Sequence, residues 1–181
     1  MKIMHIGQMI GGLDVYIRNT VMYTNNSFEF VIVHGRDDKH TSVIKEGEPV
    51  REIGISLYRE INPWRDVIGL VEAIKAIHKE KPDLIHCHSA KGGMIGRIAG
   101  WLTNTRTLYT PHAFSYLSTP SALKRKIYLW LERLTRFNAI LLACSNSERE
   151  LGIRIIHYKQ NKAQAWNNAV PDALAQINSH A

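Results

Sequence analysis

Short apolar runs alternate with longer amphipathic stretches along the whole chain. Residues 2–6, 28–34, 83–87, 107–110 and 139–144 are compact runs of apolar side chains bounded by glycine, proline or polar clusters. Such runs predict buried strands, and residues 50–55 carry a weaker version of the pattern. Between the runs, apolar positions recur every three or four residues. Val15, Ile17, Val21 and Met22 do so in residues 13–23, and Val67, Leu70, Val71, Ile74 and Ile77 in residues 64–79. Ile95, Ile98, Ala99 and Leu102 follow in residues 93–102, then Leu123, Ile127, Leu131 and Leu134 in a long helix through Phe137. These are the expected core faces of helices. Ser121 is placed to cap the last of them, and Ser145 and Ser147 to cap a short helix through Leu151. Strands and helices that alternate repeatedly predict an α/β fold: a Rossmann-like, doubly wound, mainly parallel sheet with helices on both faces. Residues 37–47 are polar and read as a mobile loop. No repeat, low-complexity tract or linker interrupts the pattern before about Val170.

The pattern centres on residues 82–100, PDLIHCHSAKGGMIGRIAG. A strand ends in His86 and His88. Ser89, Ala90, Lys91, Gly92 and Gly93 read as a small-residue loop, and a helix follows. In an open α/β sheet, ligands are met where a strand's carboxyl end passes into a helix. Two glycines there let the backbone approach a ligand, and free N–H groups at the helix start favour anions. Alternation along the strand is read as turning His86 and His88 to opposite sides, one packed inside and one toward the crevice. That makes them a poor metal pair, with a structural role set against a catalytic one for each.

Composition changes the picture modestly. The 181 residues suffice for one well-buried domain. A formal net charge of +7 favours acidic partners: phosphate groups, an anionic membrane surface or nucleic acid. No helix-turn-helix, RNP-type or zinc motif accompanies the charge, so nucleic acid is the least favoured. The two cysteines, Cys87 and Cys144, each close a predicted strand and read as buried thiols rather than a disulfide. No signal peptide or membrane-spanning run is legible, and a cytoplasmic protein, at most resting on the inner face of the membrane, is expected.

Three further places can carry chemistry. Gly11-Gly12, between the first strand and first helix, suits either a diphosphate at a helix N-terminus or a tight turn with positive φ. The glycines do not form a dinucleotide fingerprint. Asp14 can bind ligand hydroxyls or simply meet the helix dipole. His112 follows a strand and a proline, beside Phe114 and Tyr116. A neutral histidine there can hydrogen-bond a sugar or a transition state, or pack as a loop histidine. Lys124, Arg125, Lys126, Arg133 and Arg136, with Tyr128 and Trp130, make a basic helix suited to an anionic membrane or to plain solvent.

Taken in order, these pieces resemble the N-terminal domain of a family 4 glycosyltransferase of the GT-B type. They are Gly11-Gly12 and Asp14; Arg59-Glu60-Ile61-Asn62-Pro63 with Asp66; residues 82–89; Lys91-Gly92-Gly93 with Gly96-Arg97; and Thr110-Pro111-His112-Ala113-Phe114. The Glu132 helix, Cys144-Ser145-Asn146-Ser147-Glu148 and Asn167-Asn168-Ala169-Val170-Pro171-Asp172 complete the set. The resemblance covers residues 1–172, with residues 173–181 as a tail toward a donor-binding C-terminal domain that this chain lacks.

The nearest flavour is bacterial enzymes that build capsule, O-antigen or other surface glycans on lipid-linked acceptors. It implies retaining transfer of a sugar from a nucleotide diphosphate sugar to an acceptor hydroxyl, with no cofactor and no obligatory metal. Gly11 and Gly12 would approach the donor diphosphate. His112 would be catalytic, meeting the donor sugar. Asp14, His88, Ser89 and Lys91 would line the acceptor side. The family pattern has His-Gly where this chain has His112-Ala113, a change expected to narrow the loop. It also has Asn-Gly where this chain has Asn168-Ala169, and here Pro171 intervenes before Asp172. By itself the chain is expected to be inactive or nearly so. A non-catalytic binding module, one subunit of a split transferase, or a sugar-nucleotide epimerase half are the competing expectations.

Overall fold

The six predicted strands and a seventh, short one pair into one all-parallel sheet in a computed structural model that describes residues 1–60, 62–137 and 139–166. The chain runs β1 (Lys2–Ile6), α1 (Gly12–Tyr23), β2 (Glu29–Gly35), a hairpin of β3 (Ile44–Lys45) and β4 (Glu48–Pro49), then β5 (Arg51–Ile55). It continues with α2 (Pro63–Glu80), β6 (Leu84–His88), α3 (Ser89–Leu102), β7 (Arg106–Thr110), α4 (Ser115–Ser118) and α5 (Ala122–Leu134). Last come β8 (Ile140–Ala143), α6 (Asn146–Arg154) and β9 (Ala163–Ala165). Ile61 and residues 167–181, with the motif at 167–172 and the expected tail, lie outside the described residues.

The sheet order is β5-β2-β1-β6-β7-β8-β9. The chain winds outward from β1 through β2 to β5, returns to β6 beside β1, and winds the other way. Ile3 pairs with Leu84 and Ile6 with Cys87 at this reversal. The crevice beyond the carboxyl ends of β1 and β6 is where an open α/β sheet places a ligand.

Strand alternation divides the interior into two cores. Met4, Ile6, Val31, Val33, Ile85 and Cys87 share one. Phe30 and Ile32 face α1 on the other side, with Ile17 and Val21. Parallel strands buried on both faces need apolar side chains on both, which is why these segments read as continuous runs.

The expected loop at residues 89–93 is helical instead. Ser89 follows His88 directly, at φ 58°, and opens α3. A Cβ on Gly92 would lie 2.8 Å from the Ile6 carbonyl, one on Gly93 2.2 Å from the Tyr109 ring, and one on Gly96 2.4 Å from Cys87 Cβ. The small residues thus seat α3 closely on β1, β6 and β7. The close approach of Gly92 and Gly93 is to the sheet rather than to a ligand.

Residues 37–47 are pinned rather than a mobile loop. Asp38 Oδ2 accepts the Met9 and Gly35 N–H groups at 2.7 and 2.9 Å, Val43 is buried, and the β3–β4 hairpin closes the segment.

Several expected core positions face outward: Val15 and Met22 on α1, Val67 and Val71 on α2, Leu102 on α3, and Leu123, Ile127 and Leu134 on α5. Inward, α2 uses Gly69, Ala73, Ala76 and Ile77. Periodicity marks an apolar stripe without saying what covers it. Small residues on the other side can sit closer to the sheet and take the core.

α5 is locked to the sheet by a charged group. Arg97 is 2% exposed and stacks 3.9 Å over the Tyr109 ring. Its Nη2 donates to Glu132 Oε2 at 2.9 Å, Nε to the Gly93 carbonyl, and Nη1 to the Tyr158 hydroxyl. Tyr109 donates to Glu132 Oε1 at 2.8 Å. Burial alone would lower the Arg97 pKa, but the Glu132 carboxylate overrides it and holds the guanidinium charged.

Candidate active site

The crevice is walled by the β1–α1 turn, the end of β6 and the loop after β7. Gly11 has φ 59° and ψ −133°, backbone that favours glycine, while Gly12 begins α1. Both are exposed, and a Cβ at either meets nothing within 4 Å, so the turn faces open space. Of the two readings of this turn, the positive-φ requirement is met at Gly11. Asp14 on α1 holds Arg18 Nε at 2.8 Å, and Arg18 reaches on to the Ser42 and Thr41 carbonyls.

Beneath the turn lies a chain of histidines. The expectation that His86 and His88 face opposite ways is corrected: their ring centroids lie 4.1 Å apart. Residues two apart on a strand share a face, and Cys87 between them points to the other core. Their face also carries His5. His5 Nδ1 lies 2.9 Å from His88 Nε2, and His88 Nδ1 3.2 Å from His112 Nε2. His112 Nδ1 lies 3.5 Å from Cys144 Sγ, and Tyr16 packs edge-on against His112 at 4.7 Å. His86 Nε2 bonds the Thr110 hydroxyl at 2.8 Å.

Two proton arrangements satisfy the chain, with every donor pointing toward Cys144 or every donor pointing toward His5. His5 Nε2 is buried without a hydrogen-bond partner. The second arrangement strands an N–H there, whereas the first strands only a lone pair, and buried orphan N–H groups are the rarer of the two. The first therefore dominates, and it places a proton on His112 Nδ1, facing Cys144 Sγ.

Burial keeps these rings neutral. It pushes His5 and His112 down to about 4 and His86 and His88 well below the usual imidazole value, the latter two helped by their neighbours. Between about pH 6.5 and 4 the unfolded chain therefore binds more protons than the folded one. Stability is fully present above that window and falls as pH drops through it, by roughly 3 kcal/mol for a single ring such as His5. Urea midpoints at pH 7.5 and pH 5 are expected to show the loss.

His112 sits on strained backbone. His112 has φ 52° and Ala113 φ 75°, two consecutive left-handed residues. The carboxylate of Glu148 holds this turn: Oε1 accepts the Ala113 N–H and Oε2 the Cys144 N–H, each at 2.7 Å. Glu148 was legible as the fourth residue of a Ser-x-x-Glu capping pattern, with Ser145 Oγ accepting the Glu148 N–H. Its second task, bridging α6 to the β7 loop, had no local signal. Left-handed backbone explains why glycine suits position 113. Ala113→Gly is expected to stabilise the fold by about 1 kcal/mol, read by urea denaturation.

Lys91 faces a second concavity. Its Nζ donates to both carboxylate oxygens of Asp66, at 2.7 and 2.8 Å, and it is nearly buried. Asn62 caps α2, accepting the Arg65 N–H, and so sets Asp66 in the first turn. Around this pair opens a groove of about 580 Å³, lined among others by Arg59, Met94, Lys124 and Tyr128. The amino-terminal end of α3 lies between groove and crevice. Gly11, Gly12, Asp14 and His112 belong with the crevice, and Lys91 with the groove. Ser89, at the start of α3, directly follows the end of β6. His88 is fully buried with both nitrogens engaged, and offers none to a ligand.

The family model described as Glycosyltransferase Family 4 matches residues 10–174. A UDP-Gal:alpha-D-GlcNAc-diphosphoundecaprenol alpha-1,3-galactosyltransferase from Escherichia coli is 27% identical over 175 residues, covering 93% of this chain and 45% of the relative. An uncharacterized 41.2 kDa protein in the cps region of Klebsiella pneumoniae is 38% identical over 177 residues, covering 94% and 47%. The chain thus spans about half the length of these relatives. Among solved structures, a UDP-N-acetylglucosamine 2-epimerase superposes with a TM-score of 0.62 at 14% identity, over 97% of this chain and 50% of that one. That likeness concerns the fold alone.

Proposed function

We propose that this chain, which belongs to glycosyltransferase family 4, forms the acceptor-side half of an enzyme that moves a sugar from a nucleoside diphosphate sugar to a hydroxyl of a lipid-linked acceptor. One observation carries the lipid part. Beside the groove, α5 turns Leu123, Ile127, Trp130 and Leu134 outward, with Leu123 69% and Trp130 60% exposed. Lys124, Arg125, Lys126 and Arg133 flank them on the same helix. An apolar stripe edged by cations is the composition of a helix that lies in an anionic membrane surface. No helix among the described residues is long and apolar enough to cross a membrane. In this reading the helix rests on the membrane surface and brings the groove to a lipid-linked substrate.

Within this reading, the groove receives the acceptor. Arg59, Lys91 and Lys124 meet its anionic group, and Met94 and Tyr128 its apolar part. Ser89 and Asp14 bind acceptor hydroxyls at the crevice. The backbone N–H groups at Gly11 and Gly12 face the donor diphosphate. His112, neutral with its Nδ1 proton toward Cys144 Sγ, exchanges that weak contact for a hydrogen bond to the donor sugar at the reacting centre. His88 acts through His112 rather than on the acceptor. The relative that acts on a diphosphoundecaprenol-linked sugar, and the one from a cps region, support a surface-glycan pathway.

Co-sedimentation with vesicles tests the membrane contact. The chain is expected to pellet with phosphatidylglycerol-containing vesicles and not with pure phosphatidylcholine. Ile127→Ser with Trp130→Ser should abolish pelleting. An unchanged bound fraction in that variant, or no binding to anionic vesicles, overturns the lipid-linked reading.

A further inference from the structure

Away from the crevice, His34 on β2, His40 in the loop after it and Glu52 on β5 bring one donor atom each to within 4.8 Å of one another. The two imidazole rings meet edge to face, with centroids 4.5 Å apart. Two of the three donors are aimed from behind. His34 Nδ1 lies 2.8 Å from the Gly35 carbonyl oxygen, which only accepts, so the proton sits on Nδ1 and the lone pair on Nε2. Glu52 Oε1 accepts the Val43 N–H at 2.8 Å, which leaves Oε2 for the cluster. Outer contacts of this kind orient metal-bound histidines and carboxylates.

His40 is the under-tied member. Its side chain is 5% exposed and presents Nε2 to the cluster, so an ion there leaves the proton on the buried, unpartnered Nδ1, a cost that the metal bond must exceed. Its Nε2 lies 3.3 Å from Glu52 Oε2. That is long for a charge-assisted hydrogen bond. It matches the separation of about 3.3 Å between neighbouring ligands on a tetrahedral ion with bonds near 2.0 Å.

We propose that His34, His40 and Glu52 bind a divalent transition-metal ion of the zinc class. Two imidazoles and one carboxylate suit such an ion, whereas magnesium and calcium take oxygen ligands. The ion clamps the loop to β2 and β5. That loop also carries Asp38, which holds the Met9 N–H at the β1–α1 turn. The clamp stiffens one wall of the crevice without touching its chemistry. The buried histidines His5 and His88 are not part of it, because their facing nitrogens are already bonded to each other.

Cobalt(II) titration of this chain tests the site. The expected result is saturable one-to-one binding with the intense visible absorption of a tetrahedral ion. His34→Gln, His40→Gln and Glu52→Gln should each weaken it at least about tenfold. Zinc should raise the melting temperature of the wild-type chain and not that of these variants. In the wild-type chain, paramagnetic broadening should reach the imidazole signals of His34 and His40 first, which needs no variant to fold. Absence of binding, binding that survives in a His34→Gln/His40→Gln chain, or first broadening at His5, His86, His88 or His112 overturns the proposal.

Discussion

Replacing His112 by alanine should lower kcat for sugar transfer about 100- to 1,000-fold in a transferase that carries this half, with the acceptor KM nearly unchanged. Removing one preorganised donor at a site of developing charge typically has that effect. In the proposed reading the ring has such a role. His88 holds Nε2 at 3.2 Å, and the weaker contact to Cys144 Sγ at 3.5 Å is the one a sugar hydroxyl can displace. Burial keeps the ring neutral at pH 7, with its pKa pushed down to about 4. It therefore donates a hydrogen bond without carrying a charge. The substitution also strands the His88 Nδ1–H, at a cost of roughly 1–3 kcal/mol in stability. His112→Asn separates the two effects, because asparagine tolerates left-handed backbone better than alanine. Lost turnover with a preserved fold in that variant supports the catalytic role. Full kcat with a lowered melting temperature in both variants returns the ring to packing.

Replacing Glu132 by alanine should cost about 3–5 kcal/mol of folding stability, the largest single loss expected in the chain. Glu132 and Arg97 are both buried, at 3% and 2% exposure, and the carboxylate binds Arg97 and Tyr109 at once. Its removal leaves a guanidinium charge in the core with no carboxylate to balance it, held by the Gly93 carbonyl, the backbone carbonyl of residue 132, the Tyr158 hydroxyl and the Tyr109 ring. Desolvation of an unpaired charge outweighs the attraction that the pair supplied. The converse follows from the same balance: Arg97→Met with Glu132→Leu should lose less than either single change, because no charge is stranded. Urea denaturation of the three chains measures it. A double variant weaker than both singles would show that the pair stabilises beyond its desolvation cost.

The sheet was legible because its central strands are buried on both faces, which writes continuous apolar runs such as 83–87 into the chain. β9 was not legible, since Ala163–Ala165 is three residues long and buries one side chain, Ala163. The small-residue stretch at 89–93 was legible as special but misassigned. Glycines that let a helix press on a sheet look, in sequence, like glycines that let a loop press on a ligand. His112 was legible from its place after a strand and a proline. Its support was less so. His5 sits in the first strand and His88 more than eighty residues on, and the parallel pairing of β1 with β6 alone brings them together. The His86–His88 error was one of period, since alternation joins residues two apart. The outward stripe of α5 stayed hidden for another reason: only the tertiary structure shows that Glu132, not Leu123 or Ile127, turns inward.

The most direct test of the acceptor-side assignment is a binding titration of this chain with two ligands, a short-chain prenyl diphosphate sugar and a UDP-sugar. Saturable binding of the prenyl diphosphate sugar is expected, weakened by Lys124→Glu at the groove, with far weaker binding of the UDP-sugar. Tight UDP-sugar binding with no measurable affinity for the prenyl diphosphate would contradict it.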